Sequence, residues 1–158
     1  MRKNENQLPP ELFLQDVLTL NKYLNKKNIE TWMWGDMLVS KEEFPSMKSS
    51  GPSLNGYNGY AALRARIPKN IVICAWHYQG KQISFTSILA FIKNRHKVLG
   101  ATWENQETTK NFTKYMGRLP KNGVGMIATT WYGLSGQKKK EIQNIIRFSG
   151  ETFWNAKQ

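Results

Sequence analysis

Hydrophobic segments that do not alternate with polar residues constrain the fold of this chain more than any other feature. Four such segments are predicted as strands, near 30–34, 71–76, 97–103 and 124–131. A strand that is apolar throughout is typical of a parallel sheet covered on both faces. In a strand with one face exposed to solvent, apolar and polar residues alternate instead. Stretches with helical spacing of apolar residues follow the last three strands. This order predicts an α/β fold with right-handed crossovers.

Two further segments complete the predicted organisation, which is a single domain over 1–158. Residues 11–27 carry apolar side chains near helical spacing behind Pro9 and Pro10, and this pattern predicts an amphipathic helix. Residues 40–58 form a long segment dense in Ser, Gly, Asn and Pro. A loop of this length within a compact domain is usually functional or mobile.

The composition favours a globular protein and excludes several other classes. Hydrophobic residues make up 40% of the chain, which is enough to bury a core. One cysteine cannot form a disulfide framework, and with two histidines it leaves no zinc-like cluster, so we predict no metal and no cofactor. The longest apolar stretch, 71–76, is far shorter than the roughly 18 residues of a membrane helix. Because the amino terminus is polar, we expect a cytoplasmic protein, or a fragment of a larger one, without membrane contact.

The charge balance favours an anionic partner without identifying it. Lysine and arginine number 23 against 11 acidic residues, which gives a formal net charge of +12. The basic clusters, such as Lys138–Lys140, lie mostly on predicted helices or loops, where a solvated surface is the more common explanation. Because no nucleic-acid-binding motif accompanies them, binding of nucleic acid is the less favoured alternative.

Every predicted strand ends in a tryptophan that is followed at once by hydrogen-bonding residues. The four endings read MWGD, AWHY, TWEN and TWYG. Because the carboxyl ends of parallel strands lie on one side, where α/β folds bind ligands, these residues are expected to surround one mouth. The candidate substrate-binding residues are Trp34, Asp36, Trp76, His77, Tyr78, Trp103, Glu104, Asn105, Trp131 and Tyr132.

An aromatic mouth with a few polar groups suits a sugar, whose C–H faces stack on indoles while its hydroxyls need acceptors. Asp36 and Glu104 are the acids at the strand ends, so they are candidate hydroxyl acceptors, or an acid/base pair of the kind that glycosidases use. Structural interpretations stay open for each residue. The tryptophans could be core packing, Asp36 a cap, Glu104 a solvated charge and His77 a satisfied hydrogen-bonding group.

Five segments carry a resemblance to a known family: WMWGDML, IPKNIVICAWHY, KVLGATWEN, GMIATTWYG and SGETFWN. Together they resemble the C-terminal half of a glycoside hydrolase family 20-like, or β-N-acetylhexosaminidase-like, (β/α)8 barrel. The resemblance covers nearly the whole chain and implies half of a TIM barrel, four parallel strands alternating with helices in a (β/α)4-like unit. It places an aromatic sugar subsite at the ends of strands five to eight, on Trp34 with Asp36, Trp76, Trp103 with Glu104, and Trp131.

The resemblance also limits the expected activity. In this family an Asp–Glu pair on the fourth strand orients the acetamido group and protonates the leaving group, and that strand would lie upstream of Met1. The chain is therefore expected to bind an N-acetylhexosamine-type sugar, and to hydrolyse it only when a missing half barrel completes it. Gly133 departs from the pattern, since the family usually places a glutamate there to hold sugar hydroxyls.

Two consequences concern the partners of the chain. A half barrel exposes two parallel edges, so we expect a homo-oligomer or a complementary half-barrel chain. The alternative function is a non-catalytic basic interaction protein that binds nucleic acid or another polyanion.

Overall fold

Four parallel strands form one sheet in which neighbours in space follow the order of the chain. The computed structural model describes residues 9–50, 54–119, 121–133 and 136–155, and of residues 48–50 only the backbone. The strands are β1 (Trp32–Trp34), β2 (Val72–Trp76), β3 (Lys97–Thr102) and β4 (Gly123–Ala128), in the order β1-β2-β3-β4. The α-helices are α1 (Pro10–Asn25), α2 (Ser87–Lys93), α3 (Gln106–Met116) and α4 (Lys139–Trp154). This is the predicted α/β fold, with the (β/α)4-like arrangement of half a TIM barrel.

The elements lie close to their predicted positions, with differences at their ends. The helix predicted over 11–27 stops at Asn25, and the strand predicted over 124–131 stops at Ala128. Trp34 and Trp76 are the last residues of their strands. The segment 40–58 is not wholly irregular in its described part, because a 3-10 helix spans Pro45–Ser50. Residues 51–53 of this segment lie outside the described residues.

One face of the sheet packs against the helices and carries the main core. Ile71, Ile73 and Val98 are buried there with Phe91 of α2 and Phe112 of α3. Packing on this face explains why β2 and β3 carry mostly apolar residues on their helix side, where the one polar side chain, Thr102, is fully buried at the end of β3. The described helices are amphipathic or short, and none is long and apolar enough to cross a membrane.

The opposite face, here called the inner face, bears alternate strand residues. Trp32 and Trp34 of β1 are in register with Val72 and Cys74 of β2, and Cys74 is in register with Leu99 of β3. Val72, Cys74 and Leu99 form a small buried cluster of their own, whereas Trp32 and Trp34 are exposed. Within the described residues no second layer of secondary structure covers this face, so its edge tryptophans remain open to solvent.

The helices begin where local signals stabilise their first turns. α1 starts with a proline, which is tolerated at this position because the first amides of a helix have no partner within it. α3 is capped by Asn105, whose side chain accepts a hydrogen bond from the Thr108 amide at 2.9 Å. The cap fixes the point at which the chain leaves β3 and turns into α3.

Candidate functional site

A cavity of about 270 Å³ lies at the carboxyl ends of the strands, on the inner-face side. Its lining consists of Trp34, Asp36, Trp76, Tyr78 and Trp131, and all five belong to the residues that the sequence predicts for a site. Trp34 and Trp76 both lie on the inner face. Trp34 is in register with Cys74, which lies on this face, and Trp76 comes two residues after Cys74 along β2. Tyr78 follows two residues after Trp76 and keeps the same direction, as alternation requires.

The aromatic rings of the cavity form a continuous wall. Trp76 and Tyr78 are stacked, with ring centroids 4.8 Å apart and an interplanar angle of 27°. Trp131 contacts Tyr78 at 6.3 Å and Trp34 at 5.9 Å, so the wall runs from the end of the first strand to the segment beyond the fourth. These separations are those of favourable aromatic pairs. Trp34 and Trp131 remain 40% and 55% exposed, which leaves ring surface accessible to a ligand.

Asp36 supplies the carboxylate of the cavity and is held by a residue of the long segment. Its Oδ2 accepts a hydrogen bond from Asn55 Nδ2 at 2.9 Å, and its carbonyl accepts one from the Asn55 amide at 2.7 Å. An ionised carboxylate has room for further donors after one such bond. Asn55 is a positioning residue that the sequence did not single out, since one asparagine in a polar segment carries no distinguishing signal.

The ring of Tyr78 lines the cavity, and its phenol is protonated. Its Oη is buried and makes no well-formed hydrogen bond to a described residue, although Thr129 and Trp131 lie close to it. Burial raises the pKa of the Tyr78 phenol, and these two neighbours offset only part of that effect. Tyr78 is therefore a neutral hydrogen-bond donor at physiological pH.

A second aromatic group adjoins the cavity through Tyr78. The Trp103 ring meets Tyr78 edge-on at 6.0 Å and Tyr132 at 5.6 Å. Tyr132 Oη donates a hydrogen bond to the Glu104 carboxylate, and this bond, with smaller contributions from burial and nearby negative charge, raises the pKa of Tyr132 to about 12. Lys138 lies over the Tyr132 ring at 5.3 Å. Glu104 is thus engaged by Tyr132, and Trp103, Glu104 and Tyr132 are not part of the cavity lining.

Two predicted site residues have other surroundings. His77 lies on the helix side of the sheet, between Phe85 and Phe112, with each ring centroid at 4.9 Å. Because side chains alternate along a strand, the residue after Trp76 must point away from the inner face. Burial lowers the pKa of His77 to about 3, so it stays neutral. Asn105 uses its side chain to cap α3, a role that the sequence analysis did not predict for it.

Comparisons with known proteins add no relative from which a function could be transferred. No protein-family model matches the chain, and no curated protein sequence matches it. Within the described residues no group of three or more His, Cys, Asp or Glu side chains is placed to hold a metal ion. Interpretation of the site therefore rests on its own chemistry: aromatic walls, one anchored carboxylate and one neutral phenol.

Proposed function

We propose that the aromatic cavity binds a sugar ring of the N-acetylhexosamine type, as part of a β-N-acetylhexosaminidase-like glycosidase. One observation carries this proposal: three indoles and a tyrosine ring line an open cavity of about 270 Å³ together with Asp36. Pockets for drug-sized ligands begin at about 300 Å³, so a cavity just below that size suits a single small ring.

The lining offers each part of a sugar a suitable contact. The stacked pair of Trp76 and Tyr78 supplies a broad aromatic surface for the C–H face of the ring. Asp36, oriented by Asn55, accepts hydrogen bonds from ring hydroxyls. These groups bind and orient a ligand. Hydrolysis belongs to the proposal only for a chain completed by another half barrel, because the resemblance places the catalytic Asp–Glu pair on a strand of that half. Glu104 does not replace that pair, since it is engaged by Tyr132.

Titration of indole fluorescence with N-acetylglucosamine and a short chitin oligomer tests the proposal. We expect a saturable change that hardly depends on salt, that is lost in Trp76→Ala and that survives in Trp154→Ala. Trp154 is the matched control because it lies on α4, outside the cavity lining, and is 90% exposed. We expect Asp36→Asn to weaken binding about tenfold or more, since hydrogen bonds to charged groups contribute about 1.5–3 kcal/mol. Equal affinities of the two tryptophan variants would refute the assignment.

We propose binding of nucleic acid or another polyanion as the second candidate function, on the strength of one observation. Lys110, Lys114 and Arg118 follow one another at four-residue intervals along and just beyond α3, and all three are exposed. None of them forms an ion pair with a described residue, whereas Lys138 of the more conspicuous lysine run pairs with Glu141 at 3.0 Å. This candidate predicts oligonucleotide binding that weakens steeply with salt and falls when the three cations are replaced by glutamine.

A further inference from the structure

We propose that Asn58 is a site of spontaneous deamidation, at which the folded chain converts one of its own side-chain amides into a carboxylate. The proposal goes beyond sugar binding, because it concerns a slow covalent change in the segment that also holds Asp36. An asparagine followed by glycine favours this reaction, since glycine has no side chain to hinder attack by its backbone nitrogen. The chain contains three such pairs, Asn55–Gly56, Asn58–Gly59 and Asn122–Gly123.

The reaction requires only water and the chain itself. The backbone nitrogen of Gly59 attacks the side-chain carbonyl carbon of Asn58, and a C–N bond forms there. The side-chain nitrogen takes up the proton that the Gly59 amide loses, and it leaves as ammonia. Water then opens the resulting succinimide ring at either carbonyl, which gives aspartate or isoaspartate at position 58. Each conversion consumes a water molecule, releases ammonia and adds a negative charge.

The turn that carries Asn58 leaves the attacking nitrogen accessible. Asn58 and Gly59 are both exposed, and their φ angles are 50° and 89°. The space around Gly59 is open, because a Cβ added there would meet only Pro10 Cγ, at 3.8 Å, outside its chain neighbours. The turn closes through a hydrogen bond from the Tyr60 amide to the Tyr57 carbonyl at 3.0 Å. Among the described residues no backbone carbonyl accepts a hydrogen bond from the Gly59 amide.

The pair Asn55–Gly56 in the same segment is held in place. The Gly56 amide is buried and donates a hydrogen bond to the Val39 carbonyl at 2.8 Å. The side chain of Asn55 donates from Nδ2 to Asp36 at 2.9 Å. Both reacting groups are therefore engaged, and freeing them breaks two hydrogen bonds, one of them to a carboxylate. We expect Asn55 to react about tenfold more slowly than Asn58, or slower still.

The pair Asn122–Gly123 is fixed where β4 begins. Asn122 Nδ2 donates a hydrogen bond to the His96 carbonyl at 3.0 Å, and the Asn122 carbonyl accepts one from the Val98 amide at 2.7 Å. Gly123 is tightly packed, since a Cβ added there would lie 3.0 Å from Leu119 Cβ. A rotation that brings the Gly123 nitrogen onto the Asn122 side chain would break these contacts. We therefore expect Asn122 to be protected as well.

Conversion of Asn58 affects the packing that follows the turn. Tyr60 is 2% exposed, and its ring contacts Phe13 of α1 with centroids 5.4 Å apart. Isoaspartate adds a methylene group to the backbone, which weakens the turn hydrogen bond between Tyr57 and Tyr60. We expect the converted chain to unfold at a lower urea concentration than the fresh chain.

Ageing of the purified protein in warm, mildly alkaline buffer tests the proposal. Chymotrypsin cleaves after Tyr57 and so separates Asn55 from Asn58, and mass spectrometry of the peptides detects the exchange of an amide for a carboxyl group. In the folded chain we expect conversion at Asn58 to exceed conversion at each of the other two sites about tenfold or more. In the urea-unfolded chain the three sites should react at similar rates, because only the fold distinguishes them. The matched control, Asn58→Gln, should keep its urea midpoint on ageing.

Three outcomes would overturn the proposal. The first is conversion at Asn58 that does not exceed conversion at Asn55 and Asn122 in the folded chain. The second is a folded chain that stays unmodified at Asn58 over the time in which the unfolded chain reacts completely. The third is the same preference for Asn58 in the unfolded chain, which would make the fold irrelevant. Sugar titration of the fresh, unmodified protein tests the cavity separately.

Discussion

His77 makes the folded state sensitive to acid, and the size of the effect follows from its surroundings. The imidazole lies between Phe85 and Phe112, its Nδ1 has no hydrogen-bond partner among the described residues, and its pKa falls from 6.5 to about 3. The unfolded chain takes up a proton near pH 6.5, whereas the folded chain does not. Stability is therefore present in full above pH 6.5 and declines as the pH falls from there toward 3.

The magnitude follows from proton linkage. A histidine that protonates only in the unfolded state lowers the free energy of unfolding by about 1 kcal/mol at pH 5.5 and about 3 kcal/mol at pH 4.5. His96 is also buried with a lowered pKa, so it contributes in the same direction. Replacing only His77 separates its contribution from that of His96. The variant His77→Phe keeps an aromatic ring in the aromatic site and removes the titrating group.

Urea unfolding at pH 7.5, 6.5, 5.5 and 4.5, monitored by circular dichroism, measures the free energy of unfolding of the wild type and of the variant. We expect the difference in stability between wild type and His77→Phe to shift by about 1 kcal/mol in favour of the variant between pH 7.5 and 5.5. A difference that stays constant over this range would refute the reasoning. It would mean that His77 is solvated in the folded state, as a residue at the mouth of the cavity would be.

Three further changes test other parts of the structure. Gly35→Ala should destabilise the chain by about 1–3 kcal/mol, because the added Cβ would lie 2.5 Å from Ile73 Cγ2; an unchanged urea midpoint would contradict this packing. Asn105→Ala should cost about 1 kcal/mol of stability through loss of the α3 cap and leave sugar affinity unchanged, whereas a loss of affinity would place the residue in the site. Glu104→Gln should lower the pKa of Tyr132 from about 12 toward 10 in a spectrophotometric titration, and an unaltered titration would show that Glu104 does not hold the phenol.

Much of the fold could be predicted because its signals are local. Ile71, Ile73 and Val98 lie in segments that are apolar throughout, and such segments are typical of the strands of a parallel sheet. The expectation of cover on both faces is met only on the helix side within the described residues, because no second layer lies on the inner face. The ends of the elements were less certain. The last predicted strand stops at Ala128. The amide and the hydroxyl of the next residue, Thr129, both donate hydrogen bonds to the Thr102 carbonyl, and Trp131 lies beyond this point.

The candidate site could be predicted only in part, because strand ends specify a side of the sheet but not a direction for each side chain. Trp76 and Tyr78 point into the cavity, and His77 between them points into the core. This difference follows from the alternation of side chains along a strand, so it could have been predicted from the positions of Trp76, His77 and Tyr78 in the sequence. Asn55 is a different case, since its place beside Asp36 depends on the path of a long segment that no local pattern specifies.

The sequence by itself determined the number of strands, their parallel order with helices, and the presence of a tryptophan at or shortly after the end of each. These properties depend on hydrophobicity and spacing over a few residues, which a chain carries before it folds. Only the tertiary structure decided which of these residues meet. Contact between Trp34 and Trp131 requires the curvature of the whole sheet, and engagement of Glu104 by Tyr132 requires two separate strand ends to come together. Such contacts between distant parts of the chain arise from register and curvature, which are properties of the assembled sheet.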